Sequence, residues 1–158
     1  MEIKLEKASE CDAQTIIGIR NECFYEDYIS YGECPGYNIP LEQMINRIKE
    51  GHLYLILADN ETAGDISVKI LENGVHWIGC VSVSPKHQNK GIGSLAMKEI
   101  ESLYPKALIW QLDTPLSNER NCHFYEKLGF CVIGTKEISS KLTLGVFEKR
   151  VEMKYYRQ

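Results

Sequence analysis

The chain of 158 residues is long enough for one domain with a buried core and too short for two of ordinary size, so we expect a single domain over residues 1–158. Its 44% hydrophobic and 25% charged residues are typical of a globular protein, and its net charge of −4 argues against general binding to nucleic acid. No apolar run is long enough to span a membrane and the first ten residues lack the apolar core of a signal peptide, so we expect a cytoplasmic protein.

The N-terminal residues predict a strand followed by a helix. Ile3 and Leu5 alternate with charged residues, as in a short strand. Ser9, with Asp12 three residues later, is a typical helix start, and apolar residues follow at helical spacing from Ala13 to Phe24.

Residues 25–40 are rich in tyrosine, glycine and proline, and this composition predicts a loop. Apolar residues then recur from Leu41 to Ile48 at helical spacing. Gly51 is a typical end for that second helix.

The period of the apolar pattern changes from 3.6 to 2 after the second helix. Residues 52–58 predict an apolar strand, and residues 65–70 alternate in a way that predicts a half-exposed strand. Asn73-Gly74 is a strong hairpin signal. The strand that follows, Val75–Val83, is apolar on both faces, which is typical of the middle of a covered sheet.

The second half of the chain continues the alternation of helices and strands. Ile92, Ala96, Ile100 and Leu103 predict one buried face of a helix. The further elements are a strand over 108–112, a helix over 117–128 and strands over 130–133 and 147–155. The order β-α-α-β-β-β-α-β-α-β-β predicts one α/β domain with a mixed sheet.

Six cysteines raise the question of disulfide bonds or a zinc site. Their spacing is wide and includes no C-x-x-C pair, so we expect neither a metal site nor, without a secretory signal, disulfide bonds. Cys80, Cys122 and Cys131 lie in apolar segments, where cysteine usually packs as a small hydrophobic side chain. A nucleophilic cysteine is the alternative interpretation.

The stretch from Val81 to Tyr104 predicts a strand, a polar turn and a helix that begins at two glycines, Gly91 and Gly93. A helix start presents unpaired backbone N–H groups and the positive end of the helix dipole, so it favours an anion. Lys86 and Lys90 flank the turn, either as ligand contacts or as solvated charges. The glycines also have a simpler explanation, as a tight start to the helix.

The sequence from Gly91 to Ala96 also fits the G-x-G-x-x-G/A form of a dinucleotide-binding turn, and Asp113 lies about twenty residues further on. In that fold, however, the first glycine follows the strand almost at once. Here seven residues, SPKHQNK, intervene after Val83, and about 45 residues after Asp113 are too few for the second half of a dinucleotide fold.

Two longer motifs resemble the GCN5-related N-acetyltransferase (GNAT) superfamily. Gln88–Gly93 is similar to its [R/Q]-x-x-G-x-[G/A] segment and follows a V-x-V-x-P strand end at Val81–Pro85. Asn118–Phe130 resembles its N-x-x-A-x-x-F-Y-E-K-L-G-F motif, with Asn121 in place of alanine. The two motifs occur in the family's order, separated by one strand. The resemblance implies a mostly antiparallel mixed sheet of about seven strands with about four flanking helices, an α+β arrangement.

The resemblance also implies acetyl-CoA as co-substrate and an N-acetyltransferase activity, with direct attack by a primary amine in a ternary complex. It implies that backbone N–H groups bind the pyrophosphate and that the pantetheine arm lies between the strand ends near Val83 and Asp113. It also implies that a main-chain amide around Val83 polarises the thioester carbonyl. The residues implied to contact the co-substrate are Val81, Val83, Gln88, Asn89, Lys90, Gly91, Ile92, Gly93, Ser94, Asn118 and Tyr125. Asn118 has a second interpretation as a helix cap.

The resemblance also implies that Tyr125 is the catalytic residue, with its phenol near the sulfur to protonate the leaving thiolate. The alternative is a core tyrosine packed beside Phe124. The resemblance does not identify the general base, and six residues or a water molecule remain candidates. These residues are Asp113, His76, Glu72, Glu22, Glu26 and Asp27.

The acceptor is expected to be a small-molecule or peptide amine, with no nucleic-acid or membrane partner. Four tyrosines of the predicted loop are expected either to cover the acceptor or to pack within the loop: Tyr25, Tyr28, Tyr31 and Tyr37. The apolar face of residues 147–155 suggests a homodimer, or a strand that covers its own core. Two further functions stay open, a coenzyme A-binding sensor without turnover and a nicotinamide-nucleotide-binding protein.

Overall fold

Seven strands and four α-helices occur in residues 1–152, the part of the chain that the structure, a computed structural model, describes. The strands are β1 (Ile3–Lys7), β2 (Leu53–Ala58), β3 (Glu61–Ile70), β4 (Val75–Val83), β5 (Ile109–Pro115), β6 (Cys131–Ser139) and β7 (Leu142–Arg150). The helices are α1 (Ala13–Tyr31), α2 (Leu41–Lys49), α3 (Ile92–Leu103) and α4 (Glu119–Lys127). Their order along the chain is the predicted one.

The strands form one mixed sheet in the order β1-β2-β3-β4-β5-β7-β6. β4 is the central strand, as its apolar sequence predicted. It pairs with β5 in parallel over three residue pairs, Val75–Trp77 with Ile109–Gln111, whereas β1–β2, β2–β3, β5–β7 and β6–β7 are antiparallel. The predicted mixed, mostly antiparallel sheet is therefore confirmed. Asn73 and Gly74, with φ of 59° and 76°, form the predicted hairpin turn before β4.

The chain divides into two compact units. The first comprises Met1–Lys69 and Ile78–Pro105, and the second comprises, among the described residues, 70–77 and 106–152. The division separates Ile70 from the rest of β3 and passes through β4 after Trp77. No helix in the described part of the chain is long and apolar enough to cross a membrane.

The core of the first unit forms where α1 and α2 pack against β2. All six residues of β2 are buried, and alternate ones, Leu53, Leu55 and Leu57, join Ile16 of α1 and Met44 of α2 in one hydrophobic cluster. Successive side chains of a strand point to opposite faces. The other residues of β2 therefore face away from this cluster, which explains why the strand is apolar on both faces.

The helix α1 is longer than the sequence predicted. The loop prediction for residues 25–40 is wrong for residues 25–31, because α1 continues to Tyr31 and ends at Gly32 with φ of 78°. No glycine or proline interrupts residues 25–31, and tyrosine is only slightly unfavourable in a helix. The Ser9 N–H donates to Asp12 Oδ2 at 2.8 Å, the capping interaction that these residues predicted, but this contact begins a 3₁₀ turn over Glu10–Asp12 that precedes α1.

The strand β3 is longer and more buried than predicted. It begins at Glu61, and Asp65, expected on an exposed face, has no exposed surface. The prediction was wrong because Asp65 pairs with Arg20, a residue 45 positions earlier in the sequence. The helix α3 also departs at one position. Leu103, its last residue, is 44% exposed, and Met97 is buried instead.

The core of the second unit includes side chains of the neighbouring strands β5 and β7. Trp110 and Leu112 of β5 and Phe147 of β7 are buried, with Leu112 opposite Phe147 in the register. Phe147 thus covers the core of its own unit, and the homodimer stays a prediction. Of the residues predicted to extend this strand to Tyr155, Val151 lies beyond the end of β7, and residues 153–158 lie outside the described part of the chain.

The strand β6 continues six residues beyond its predicted end at Ile133, and β7 begins at Leu142, five residues before its predicted start. β6 is an edge strand and is exposed along nearly all its length, so its polar residues gave no alternating pattern. Cys131 at its start is exposed, which corrects the expected burial. All six cysteines are free thiols, as predicted.

Candidate functional site

The turn between β4 and α3 presents backbone N–H groups at a helix start. The chain passes through a 3₁₀ turn over Pro85–His87 and begins α3 at Ile92. Asn89 and Gly91 adopt left-handed backbone conformations, with φ of 64° and 80°. The Leu95 N–H donates to the Gly91 carbonyl at 3.1 Å, so the N–H groups of the preceding turn have no acceptor within the helix.

This helix start has the features of a phosphate-binding site. The N–H groups of Ile92, Gly93 and Ser94 lie at the positive end of the α3 dipole. A Cβ atom built on Gly91 would have no other atom within 4 Å, so the backbone there is open to a ligand. The residues predicted to bind the pyrophosphate, Gln88–Ser94, therefore lie together in one turn.

The two lysines beside this turn are exposed. Lys86 Nζ lies 3.7 Å from Glu61 Oε2, and both side chains are more than half exposed, so this ion pair contributes little stability. Lys90 is exposed as well. The backbone N–H groups, unlike the exposed Lys86 side chain, are therefore held in place to meet an anion.

A chain of buried hydrogen bonds holds the 3₁₀ turn. The Ser84 hydroxyl lies 2.8 Å from Nδ1 of His87, and Nε2 of His87 lies 2.8 Å from Oε1 of Glu61. With Glu61 ionised, Nε2–H donates to Glu61, and in the neutral tautomer Nδ1 accepts from Ser84. The hydrogen bond from His87 lowers the pKa of Glu61, and the nearby Lys86 adds to this effect. Ser84 is only 5% exposed, so the chain holds the turn rather than presenting a nucleophile.

The peptide group that follows Val83 is held at both ends. The Val83 carbonyl accepts hydrogen bonds from Gln88 Nε2 at 2.8 Å and from the Cys23 thiol at 3.0 Å. The N–H of the same peptide, on Ser84, donates to the Ala63 carbonyl at 2.7 Å. Burial raises the pKa of Cys23 to about 11, which keeps the thiol protonated as a donor.

The peptide group that precedes Val83 is fixed by a close contact with β3. The Ser82 carbonyl points at Gly64, where a Cβ atom would lie 2.7 Å from the carbonyl carbon and nearer still to its oxygen. In a trans peptide the N–H points opposite to the carbonyl. The Val83 N–H therefore points away from β3.

In the second unit, Asn118 begins α4 as its N-cap. Its Oδ1 accepts a hydrogen bond from the Asn121 N–H at 3.0 Å, which confirms the helix-cap interpretation. The Asn121 side chain reaches Oγ1 of Thr114 on β5 at 3.4 Å. The departure from alanine at position 121 thus provides a polar contact between α4 and β5.

Tyr125 lies half-buried on α4, among aromatic rings. Its ring centroid is 5.0 Å from that of Phe124, 5.9 Å from Phe130 and 6.1 Å from Phe147. These edge and tilted contacts fix the ring plane. The packing beside Phe124 expected of a core tyrosine is present, and it does not by itself assign a role to the hydroxyl group.

The six candidate bases fall into both units. In the second unit, His76 is buried, and its ring centroid lies 5.3 Å from that of Trp110. Asp113 is half-buried, and its Oδ2 lies 3.4 Å from Nζ of Lys136. Glu72 is exposed beside the hairpin turn.

The other three candidate bases lie on α1 in the first unit. Glu22 and Glu26 are exposed, and Asp27 is half-buried. Burial, together with the negative charge of Glu26, raises the pKa of Asp27.

Three of the four tyrosines form a cluster at the end of α1. The rings of Tyr28 and Tyr37 stack with centroids 4.7 Å apart, and Tyr25 lies 6.1 Å from Tyr37. The Asn38 N–H donates to Asn21 Oδ1 at 2.8 Å and so ties the loop to the same helix. The rings of Tyr25 and Tyr28 are about half exposed. Two rings of α1, Tyr25 and Tyr28, thus pack against Tyr37 of the loop, while the role of covering the acceptor stays a prediction.

The segment that carries this cluster is strongly acidic. Between Arg20 and Arg47 the chain has five carboxylates and no lysine, arginine or histidine. These five negative charges exceed the net charge of −4 of the whole chain, so the acidity of the protein is concentrated here.

The sequence profile of the Acetyltransferase (GNAT) family matches residues 14–130, which include β4, the turn before α3 and the whole of α4. The chain belongs to the GNAT acetyltransferase family. It is 32% identical over 138 residues to the uncharacterized protein YrkN of Bacillus subtilis strain 168, across 82% of this chain and 73% of that protein.

Solved GNAT structures share the fold at low sequence identity. The PaiA N-acetyltransferase of Thermoplasma acidophilum, in complex with coenzyme A, has a TM-score of 0.77 and 22% identity over 96% of this chain and all of that chain. The acetyltransferase yncA of Salmonella typhimurium, with its cofactor acetyl-CoA, has a TM-score of 0.74 and 14% identity over 100% and 99% of the two chains. The seven-stranded sheet with four helices is thus the GNAT acyltransferase fold.

Sequence reasoning missed several residues that support the predicted ones. Arg20, Asp65 and Cys23 gave no signal, because their partners are distant along the chain. Ser84 and His87 are three residues apart in a proline-containing turn, a spacing from which their hydrogen bond could have been predicted.

Proposed function

We propose that this protein is an N-acetyltransferase that transfers the acetyl group of acetyl-CoA directly to a primary amine, in a ternary complex, and that it acts in the cytoplasm. The observation that carries the proposal is the turn of Gln88–Ser94, whose open Gly91 and unpaired helix-start N–H groups suit a pyrophosphate in a chain of the GNAT family. The co-substrate supplies the activated acyl group, and the residues below bind and orient it.

The geometry of the first unit supports a division of binding roles. The N–H groups of Ile92, Gly93 and Ser94 would receive the pyrophosphate. Val81, near the end of β4, would pair with an amide group of the pantetheine arm as an added strand does. The Val83 N–H, which points away from β3, would donate to the thioester carbonyl and stabilise the negative charge that develops there. Asn118, which belongs to the second unit, would contact the co-substrate while it caps α4.

We propose Tyr125 as the general acid, with its hydroxyl proton passing to the sulfur of the departing coenzyme A. The aromatic contacts that fix its ring support this role, because proton transfer requires a defined donor position. The Tyr125→Phe substitution retains these contacts and removes only the hydroxyl group. We expect kcat to fall by about 100-fold with little change in acetyl-CoA affinity.

The matched control for that variant is Tyr104→Phe, which removes a hydroxyl bonded to His52 and Tyr54. It should leave kcat within about twofold of the wild-type value. Unchanged turnover in a folded Tyr125→Phe protein would exclude Tyr125 as the acid.

We propose that the acceptor amine carries positive charge on approach. The acidic segment between Arg20 and Arg47 and the exposed rings of Tyr25 and Tyr28 support a cation, which carboxylates and aromatic faces both attract. The measurement is kcat/KM for primary amines matched in size but differing in charge. Polycationic amines should react best, and equal rates for neutral and cationic acceptors would contradict this substrate class.

The activity itself is tested in two steps. Thermal unfolding with coenzyme A, acetyl-CoA or NADH identifies the bound ligand, because a ligand that binds only the native state raises its stability. A panel of amines is then incubated with acetyl-CoA, and the free thiol of the released coenzyme A is measured. The background from the exposed thiols of Cys11 and Cys131 is subtracted with an enzyme blank. Binding of coenzyme A without turnover would indicate a sensor, and stabilisation by NADH alone would indicate a nicotinamide-nucleotide protein. An acylated cysteine with ping-pong kinetics would exclude direct transfer.

A further inference from the structure

A fully buried ion pair joins α1 to the sheet beside the end of β4. Arg20 is 1% exposed and Asp65 is 0% exposed. The Arg20 guanidinium donates two hydrogen bonds to the carboxylate, from Nε to Oδ1 at 3.1 Å and from Nη2 to Oδ2 at 2.7 Å. The Ser82 hydroxyl of β4 donates to the same Oδ1 at 2.6 Å. The guanidinium, the carboxylate and the hydroxyl therefore form one buried network across α1, β3 and β4.

This network is poorly explained by stability alone. Removing two charges from water costs so much that apolar residues of similar size are often as stabilising as a buried ion pair. Such a pair does, however, fix geometry, because the planar guanidinium and the carboxylate meet in one orientation. Asp65 also reaches Ser82 from its backbone, since its N–H donates to Ser82 Oγ at 3.1 Å. The position of Ser82 is therefore determined by both the side chain and the backbone of Asp65.

A second link runs from the next turn of α1 to the residue after Ser82. Cys23 follows Arg20 by three residues, so the two side chains lie on one side of the helix. The Cys23 thiol donates to the Val83 carbonyl at 3.0 Å. One helix face therefore holds two consecutive residues of β4, Ser82 and Val83.

The peptide groups on either side of the Val83 Cα atom are both held, since the first link fixes the Ser82 side chain and the second reaches the Val83 carbonyl. One peptide has its carbonyl, on Ser82, pressed against Gly64. The other has its carbonyl, on Val83, bonded to Cys23 and Gln88. A rotation that redirected the Val83 N–H would have to break these contacts.

We propose that Arg20, Asp65, Ser82 and Cys23 are positioning residues that aim the Val83 N–H at the carbonyl oxygen of the bound thioester. This inference rests on the proposed function, since it takes acetyl-CoA as the ligand of β4. These residues act through the backbone of β4 and touch neither the co-substrate nor the acceptor. Their effect falls on the acyl carbonyl and not on the coenzyme A portion of the ligand.

The test compares the binding of coenzyme A with the infrared spectrum of bound acetyl-CoA labelled with ¹³C at the thioester carbonyl. A hydrogen bond from the Val83 N–H lowers the carbonyl stretching frequency in the wild-type complex. Ser82→Ala and Cys23→Ala each remove one link, so we expect the frequency to return more than half of the way to its value in water. Coenzyme A has no acyl carbonyl, and its dissociation constant should change by less than about twofold.

Ser102→Ala is the matched control for Ser82→Ala, because it removes a serine hydroxyl that bonds only within α3, to the Lys98 carbonyl. It should leave both measurements at their wild-type values. Arg20→Lys keeps the buried charge but loses the two-pronged contact, so its carbonyl frequency should lie between those of wild type and Ser82→Ala. With a reacting amine, kcat of Ser82→Ala should fall by about tenfold, less than the loss of an entire oxyanion donor, while KM for the amine is unchanged.

The outcomes separate this inference from the function on which it rests. If wild-type protein binds neither acetyl-CoA nor coenzyme A, both fail. If acetyl-CoA binds but its carbonyl frequency is the same in wild type, Ser82→Ala and Cys23→Ala, the positioning role is wrong and the acetyltransferase proposal stands. The positioning role is equally wrong if coenzyme A affinity and carbonyl shift are lost in parallel, because the residues would then maintain the fold of the whole site.

Discussion

Replacing Gly64 by alanine should destabilise the protein, because the added methyl group has no room between β3 and β4. Its carbon would lie 2.7 Å from the Ser82 carbonyl carbon and 3.0 Å from Val83 Cα, whereas carbon atoms in contact are ordinarily about 3.5–4.0 Å apart. The obstructing atoms are backbone atoms, which cannot turn aside as a side chain does. The strands must therefore separate locally by about 0.8 Å or more.

The magnitude follows from the bonds that such a separation weakens. The Ser84 N–H to Ala63 hydrogen bond, at 2.7 Å, is worth about 1 kcal/mol, and the charged Ser82 to Asp65 bond, at 2.6 Å, about 2 kcal/mol. We therefore expect the Gly64→Ala substitution to lower the free energy of unfolding by about 3 kcal/mol and the Tm by about 6–12 °C.

Urea and thermal unfolding measure this effect, and the chain offers a control of opposite sign. Gly18 lies within α1, and a Cβ atom built there meets nothing within 4 Å. Gly18→Ala should therefore raise the free energy of unfolding by about 1 kcal/mol, the ordinary gain of alanine over glycine in a helix. A Gly64→Ala protein within about 0.5 kcal/mol of wild type would refute the reasoning, because the β3–β4 contact would then have to be looser than described.

Gly91→Ala places a side chain on a left-handed residue with φ of 80°, so we expect the free energy of unfolding to fall by about 1 kcal/mol. Titration calorimetry should show at least about tenfold weaker binding of coenzyme A. Full affinity would show that the turn does not bind the pyrophosphate. Asn118→Ala removes the cap of α4 and should cost about 1 kcal/mol in urea unfolding, whereas no loss would mean that the cap is not needed. Burial raises the pKa of Cys23 in the folded protein to about 11, above the ordinary value of 9. The protonated Cys23 thiol therefore contributes fully to the free energy of unfolding below pH 9, and this contribution is lost as the pH rises through 11. Between pH 8 and 11, the free energy of unfolding should therefore fall less steeply in Cys23→Ala than in wild type. An equal slope in the two proteins would contradict the assigned burial of the thiol.

The elements that the sequence predicted well are those with a local signal. β4 has its predicted bounds, and Asn73-Gly74 forms the predicted turn, because apolar runs and positive φ leave marks at neighbouring positions. The turn at Gln88–Ser94 was found for the same reason. Its glycines and the strand before it are consecutive in the chain.

The elements that the sequence did not predict depend on partners far along the chain. Asp65 looks like an exposed residue of an alternating strand until Arg20 is found beside it. Residues 134–139 gave no clear strand signal, because the edge strand β6 is exposed on both faces and its polar residues follow no period of two. The direction of the Val83 N–H likewise depends on Gly64 and Cys23, which no local pattern connects to it.

The uneven distribution of charge along this chain gives the protein an electrical polarity that its modest net charge of −4 conceals. The negative charge collects in the stretch from the end of α1 to α2, and the rest of the chain is almost neutral. A cation diffusing nearby would be drawn to this stretch over roughly 10 Å at about 0.1 M ionic strength and over roughly 3 Å at about 1 M. The association rate of a cationic molecule with this stretch should therefore depend on the ionic strength of the solution as well as on the protein.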